Sequence, residues 1–228
     1  MKFWTYIKTN HELIGTISTI VISLAALAVA VLTAQYTNLQ ASVTKAQNAP
    51  VLKFNIEDSG KGVESLTVIN IGGPAIEFKM DTQTFIKVKY LTNDYKEKEE
   101  LIPLDGYFYV SAPTHDVKDV LISQYTNIYF SQPNSGIKAK KIIMEFNKQM
   151  AKSGRYTIAE LAHLCKISYS DIFKESHNGS YVVTEFERKR LDKQGVEKLT
   201  STLAAKKRMN ADNITLDQFF SAIPEIKQ

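Results

Sequence analysis

Residues Leu13 to Ala34 read LIGTISTIVISLAALAVAVLTA, a run without one charged side chain. No other feature restricts the fold of this chain as strongly. At about 1.5 Å per helical residue the run reaches roughly 33 Å, enough to cross a hydrocarbon core of about 30 Å. The expectation is an uncleaved membrane helix over 13–34. Two alternatives compete with it. Ala28-Val29-Ala30 has the small-x-small form of a signal cleavage site, but the apolar core is longer than the roughly 7–15 residues of such signals. A buried helix of a soluble protein is the other. Trp4, Tyr6 and Tyr36 flank the run, where interfacial aromatics belong.

The charges beside the run favour one orientation by a small margin. Lys2, Lys8 and the α-amino group precede it with one acid, Glu12, and Lys45 is the nearby cation after it. The positive-inside rule then places the N-terminus in the cytoplasm and the following domain outside. Cys165 is the sole cysteine. That excludes an internal disulfide framework and argues for a reducing compartment. The two indications oppose each other, so the expected location is the cell membrane, single-pass, with a lean towards an extracytoplasmic domain.

Gly15, Thr19, Ser23, Ala26 and Ala30 fall on one face of the helix. Small residues there permit close helix approach, which makes self-association through the membrane one reading and ordinary lipid-facing composition the other.

Beyond Ala34 the chain changes character. Residues 35–49 are polar and lack Gly, and Ala49-Pro50 ends the segment because proline disfavours helix in the residue before it. A short N-terminal segment (1–12), membrane helix (13–34) and helical stalk (35–49) thus precede a domain expected over 50–186. In that domain Leu52, Phe54 and Ile56 alternate with polar residues, as do Ile76, Phe78 and Met80, and then Ile86, Val88 and Tyr90. Period-two patterns of this kind mark half-buried strands. Further strands are expected near 106–111, 127–130, 139–146, 164–170 and 180–186, separated by turns at Asn93-Asp94, Asp105-Gly106, Pro133 to Gly136 and Asn178-Gly179. Many short strands predict an antiparallel β-sandwich. Two helical insertions are expected: His115 to Ser123, and a helix opening at Thr157, whose spacing to Glu160 suits a capping box. The charge-rich tail, 187–228, is expected to be helical, with an amphipathic helix over Glu187 to Met209 and a short one from Thr215. The fold class is therefore mainly β with added helices: an N-terminal transmembrane helix, an antiparallel β-sandwich and C-terminal amphipathic helices.

Three short motifs add a likeness. The domain opens on Pro50-Val51-Leu52, continues through an Asn70-Ile-Gly-Gly-Pro-Ala75 turn, and ends with Tyr169-Ser-Asp171 before a strand carrying Tyr181. With the preceding apolar helix and stalk, this resembles a diffuse class of uncharacterised bacterial single-pass membrane proteins. The resemblance covers residues 1–186. It implies a membrane helix, a polar stalk and a β-sandwich, and it carries no activity. Many members of that class have basic residues just after the membrane helix; this chain has Gln35-Tyr-Thr-Asn there.

The chemistry-bearing residues form no recognised constellation. Glu160 and His163 have an E-x-x-H spacing that a helix would place on one face, but a carboxylate-bridged di-metal bundle needs two such pairs. Cys165 lies two residues from His163, on the same side of a strand, so a thiol–imidazole pair competes with a buried small hydrophobe. Ser59-Gly60-Lys61-Gly62 lacks the spacing of a phosphate loop. Lys138, Lys140 and Lys141 are candidate contacts for an anionic surface, set against a plain solvated edge, and Lys206-Lys207-Arg208 is read the same way. The net charge of +4 comes from cations interleaved with acids, which argues against nucleic acid as a partner. No catalytic, cofactor-binding or metal-binding residue is assigned, and no cofactor is expected.

The composition thus predicts a membrane-anchored, non-enzymatic interaction or sensing module. Its partners would be the lipid bilayer and either a protein or a second copy through the membrane helix. One alternative is an oligomerising membrane effector gated by a ligand of the β-domain. Another is an enzyme whose site assembles from distant residues such as Asp171, His177 and His115.

Overall fold

The computed structural model describes residues 11–58, 64–92, 94–107, 127–131, 136–223 and 226. The chain divides into two compact units, Met1–Asn48 and Ala49–Gln228. In the first, helix α1 runs without a break over His11–Gln47. It is long and apolar enough to cross a membrane, and none of its most apolar window is buried. Seven of its Thr and Ser hydroxyls bond back to the helix's own backbone. Thr16, Thr19, Ser23 and Thr33 each donate to the carbonyl four residues earlier, at 2.8–2.9 Å. Thr37, Ser42 and Thr44 repeat the pattern in the polar half. Such back-bonding turns these seven hydroxyl donors inward onto the helix backbone.

The second unit is layered. A six-stranded sheet has the order β8-β7-β6-β3-β4-β9, and a three-stranded antiparallel sheet has the order β1-β2-β5. The small sheet comprises β1 (Leu52–Asp58), β2 (Glu64–Asn70) and β5 (Asn127–Ser131). The large one is built on β3 (Ile76–Leu91) and β6 (Thr157–Ser170), flanked by β4 (Glu97–Asp105), β7 (Ser176–Thr184), β8 (Arg188–Leu191) and the short β9 (Met209–Asn210). All its pairings are antiparallel except β4 with β9.

The long strand β3 explains the layering, because one of its faces meets two different covers. Near its start, Phe78 and Met80 pack with Phe54, Leu66 and Val68 of the small sheet. Further along the same face, Ile86, Val88 and Tyr90 pack under helix α2 (Gly136–Lys152) through Ala139, Ile143, Phe146 and Met150. The change of cover falls at Thr84. On the opposite face, Phe85 and its neighbours Ala162 and Leu164 lie under Leu199 and Leu203 of helix α3 (Lys193–Ala204). The fold is therefore mainly β with added helices, two sheets packed face to face as expected.

Four local expectations are corrected. Residues 139–146 form the middle of α2 rather than a strand. Their buried positions, Ala139, Ile143, Phe146 and Met150, are spaced by four, three and four, a helical period. Thr157 to His163 is strand rather than helix: it pairs with β3 from Tyr90↔Thr157 through Thr84↔His163, and the capping-box spacing has no helix behind it. Asn178-Gly179 lies inside β7; the reversal between β6 and β7 is made by Asp171 to Glu175. Glu187 to Met209 is not one helix, because Arg188–Leu191 pairs with β7 and Asp192 then caps α3 by accepting from Gly195 N at 2.7 Å.

The tail over 187–228 is built into the domain. It supplies β8 and β9, and its Ala211, Ile214, Phe219, Ile223 and Ile226 are core residues. Helix α4 (Leu216–Ser221) opens on a Thr215/Gln218 capping box, matching the short helix expected from Thr215. The predicted helix over His115 to Ser123 lies outside the described residues.

Candidate functional site

The β6–β7 hairpin concentrates polar chemistry at its tip. Asp171 Oδ1 accepts from the backbone N–H groups of Phe173 and Glu175 at 2.8 and 2.9 Å. Lys174, at φ 62°, turns the chain back. The same carboxylate presents Oδ2 to His177 Nε2 at 2.9 Å. His177 is the cross-strand partner of Tyr169, and the two rings stack at 5.1 Å with 23° between planes. The His177 hydrogen bond, helped by the two backbone N–H groups and opposed by burial, holds the Asp171 carboxyl below the usual carboxylate range. Burial raises the Tyr169 hydroxyl above its ordinary value, with smaller contributions from Tyr181 and Asp171 against the opposing charge of Arg190. Ligand atoms of Asp171, Glu175 and His177 all lie within 4.8 Å of one another. Beside them is a cleft of about 330 Å³ bordered by Val51, Tyr169, His177, Tyr181 and Arg190.

Folding thus joins two of the three distant residues considered from sequence, Asp171 and His177; His115 lies outside the described residues. Sequence reasoning missed Glu175. Its signal is the D-x-x-x-E-x-H spacing of residues 171–177, which becomes legible only when a reversal is placed over 171–175.

A second polar cluster is buried where the cover of β3 changes. Thr84 Oγ1 and His163 Nδ1 share a hydrogen bond of 3.0 Å. His163 Nε2 lies 3.9 Å from Glu64 Oε2, and the Tyr107 hydroxyl donates to that same carboxylate. The Tyr107 and His163 rings are 5.6 Å apart. Burial pushes His163 down from 6.5 to about 3, so at neutral pH the imidazole is uncharged. The cluster ties β2, β3, β6 and the start of the segment after β4 together.

Cys165 is buried, and burial with a smaller effect from Asp81 pushes its thiol up to about 12. Its Sγ faces the His163 carbonyl oxygen at 3.9 Å, so a reactive thiolate is not favoured there. Glu160 and His163, three apart on a strand, point to opposite faces, and Glu160 pairs with Lys87 at 3.4 Å. Asn70 closes the Asn70–Ala75 turn: Oδ1 accepts from Gly72 N and Val51 N at 3.1 and 3.2 Å, and Nδ2 donates to the Gly73 carbonyl at 2.7 Å. Lys138 and Lys141 are exposed on the outer face of α2 while Lys140 is half-buried. Lys206 pairs with Glu100, and Arg208 with Asp105 at 2.8 Å, which fastens the tail to β4. Gly15, Thr19, Ser23, Ala26 and Ala30 are exposed along α1. Ser59 to Gly62 lies outside the described residues.

No protein-family model matches the chain, and no curated protein matches it. Among solved structures it is similar to an X-ray structure of a Northeast Structural Genomics Consortium target, SoR45, with 12% identity, 65% of this chain and 88% of that chain covered, and a TM-score of 0.20. A likeness at that score carries no argument about fold or function.

Proposed function

We propose that the chain is a membrane-anchored, non-enzymatic interaction or sensing module. One observation carries the reading: α1 exposes its apolar side chains along its length, Leu13, Leu24 and Leu32 each by 60% or more, and none of its most apolar window is buried. Leaving such a surface in water costs about 25 cal/mol per Å²; inserting it in lipid removes that cost. The bonds from Thr16, Thr19, Ser23 and Thr33 back to the helix backbone support the same placement. Helix α1 ends at Gln47, immediately before a sheet-rich unit that begins at Ala49. An anchor followed by a stalk and such a unit is the organisation of a module that displays a binding surface at a bilayer. The cleft beside Tyr169, His177 and Arg190 is the surface we nominate for contact.

The test is protease accessibility of the second unit in intact cells and in inverted vesicles, paired with photo-crosslinking from Tyr181 and Arg190. The proposal expects protection on one side only and a discrete crosslinked partner. Equal digestion in both preparations, or turnover of a metabolite by the purified full-length protein, counts against it.

A further inference from the structure

We propose that Asp171, Glu175 and His177 form a binding site for a divalent transition-metal ion of the zinc class. This inference does not depend on membrane anchoring.

The donor set selects the ion. Two carboxylates and one imidazole nitrogen suit a borderline cation such as Zn²⁺, whereas Ca²⁺ takes six to eight oxygens and Mg²⁺ keeps mostly water and oxygen ligands. The geometry is close to what such an ion needs. At metal–ligand distances of about 2.0–2.2 Å, tetrahedral ligand atoms stand roughly 3.3–3.6 Å apart. Here the three atoms lie within 4.8 Å of one another, and Asp171 Oδ2 and His177 Nε2, now hydrogen-bonded at 2.9 Å, would part slightly to admit the ion. Glu175 is exposed, and its carboxylate already stands within 4.8 Å of the other two ligand atoms.

Two of the ligands are held in place before any ion arrives. Asp171 is buried and its other oxygen is fixed by two backbone N–H groups. Stacking on Tyr169 fixes the plane of His177. These supports are the kind that orient ligands from outside the coordination sphere. On binding, the cation takes the Nε2 lone pair of the neutral imidazole that carries its proton on Nδ1; a proton leaves to solvent only from a ring that was protonated on both nitrogens. Three protein ligands leave a fourth position for water or for a donor entering from the neighbouring cleft, which His177 also borders.

The experiment uses the untagged full-length protein in detergent micelles. Zn²⁺ is titrated in competition with a chromophoric micromolar chelator, and Co²⁺ is added separately to record its visible ligand-field spectrum. The proposal expects one ion per chain and a Co²⁺ spectrum of tetrahedral intensity. His177→Ala should weaken Zn²⁺ binding by more than the roughly 10–100-fold typical of losing an outer supporting group. Glu175→Gln should weaken it and alter the Co²⁺ spectrum. Asp171 is left intact because it also closes the turn. Should His177→Ala fail to fold, Glu175→Gln and the Co²⁺ spectrum still decide. Failure to compete with the chelator, or equal Zn²⁺ affinity in the parent and Glu175→Gln with an unchanged spectrum, overturns the proposal.

Discussion

Gly72→Ala tests the packing that starts the sheet-rich unit. The added Cβ would lie 2.3 Å from the Ala49 carbonyl oxygen and 2.5 Å from Val51 N. Both are backbone atoms, so no side chain can swing aside; the 49–51 segment must move off the Asn70–Gly73 turn. That movement breaks Gly73 N–H to the Ala49 carbonyl at 3.0 Å and Ile71 N–H to the Val51 carbonyl at 2.9 Å. It also strains the bond from Val51 N to Asn70 Oδ1. Overpacking costs about 1–3 kcal/mol, and each lost hydrogen bond about 0.5–1.5 kcal/mol. The restricted unfolded chain of alanine returns about 0.4–1 kcal/mol. The net is roughly 2–4 kcal/mol, and in a unit of this size about 2–4 °C of Tm accompany each kcal/mol, giving a fall of about 5–15 °C. Differential scanning calorimetry of the full-length protein in micelles measures it. Gly15→Ala is the matched control, since a Cβ there meets nothing within 4 Å. A Gly72→Ala melting transition indistinguishable from the parent would refute the reasoning.

Three further outcomes are expected. Phe146→Ala empties the contact with Phe219, whose ring stands edge-on at 4.5 Å, and should cost about 3–5 kcal/mol in denaturant unfolding; a loss under about 1 kcal/mol would mean α2 is not part of the core. Cys165, with its thiol near 12, should resist a thiol reagent at pH 8 in the folded protein and react fully in guanidinium, and rapid native labelling would contradict its burial. His163 is held near 3 against 6.5 when unfolded, so between those values the unfolded chain binds the extra proton; its contribution to stability is full above 6.5 and is lost progressively as the pH falls towards 3. Urea midpoints of the parent and His163→Gln across that window should differ in slope, the variant being flatter, and parallel curves would count against a buried neutral imidazole.

The legibility of the fold in sequence followed the physics of each segment. Leu13 to Ala34 announces itself because length and absence of charge are read without tertiary context. Alternation at Phe54, Phe78, Ile86 and Val88 marks strands because one face of each is covered. In sequence, helix α2 reads as a strand because its strongest helical signal, the Ala139–Ile143–Phe146–Met150 spacing, lies among lysines that also suit a sheet edge. Thr157 and Glu160 carry helix-start spacing, but pairing with β3 over the whole strand outweighs a local cap. At the candidate site, Asp171 and His177 were available as residue types, while their meeting depends on where the hairpin reverses. The Asn178-Gly179 pair is the stronger turn signal in sequence, and Asp171 wins by accepting two backbone N–H groups at once. The buried Glu64–Tyr107–His163–Thr84 cluster was not legible, since its members come from four separated segments.

The central claim is that α1 spans a bilayer as a permanent anchor. Alkaline carbonate extraction of membranes carrying the full chain, followed by N-terminal sequencing of the retained protein, tests it most directly. The account predicts that the chain stays in the pellet and that residues 13–34 remain attached to the sheet-rich unit. Release into the supernatant, or a mature chain that begins after Ala30, would contradict it.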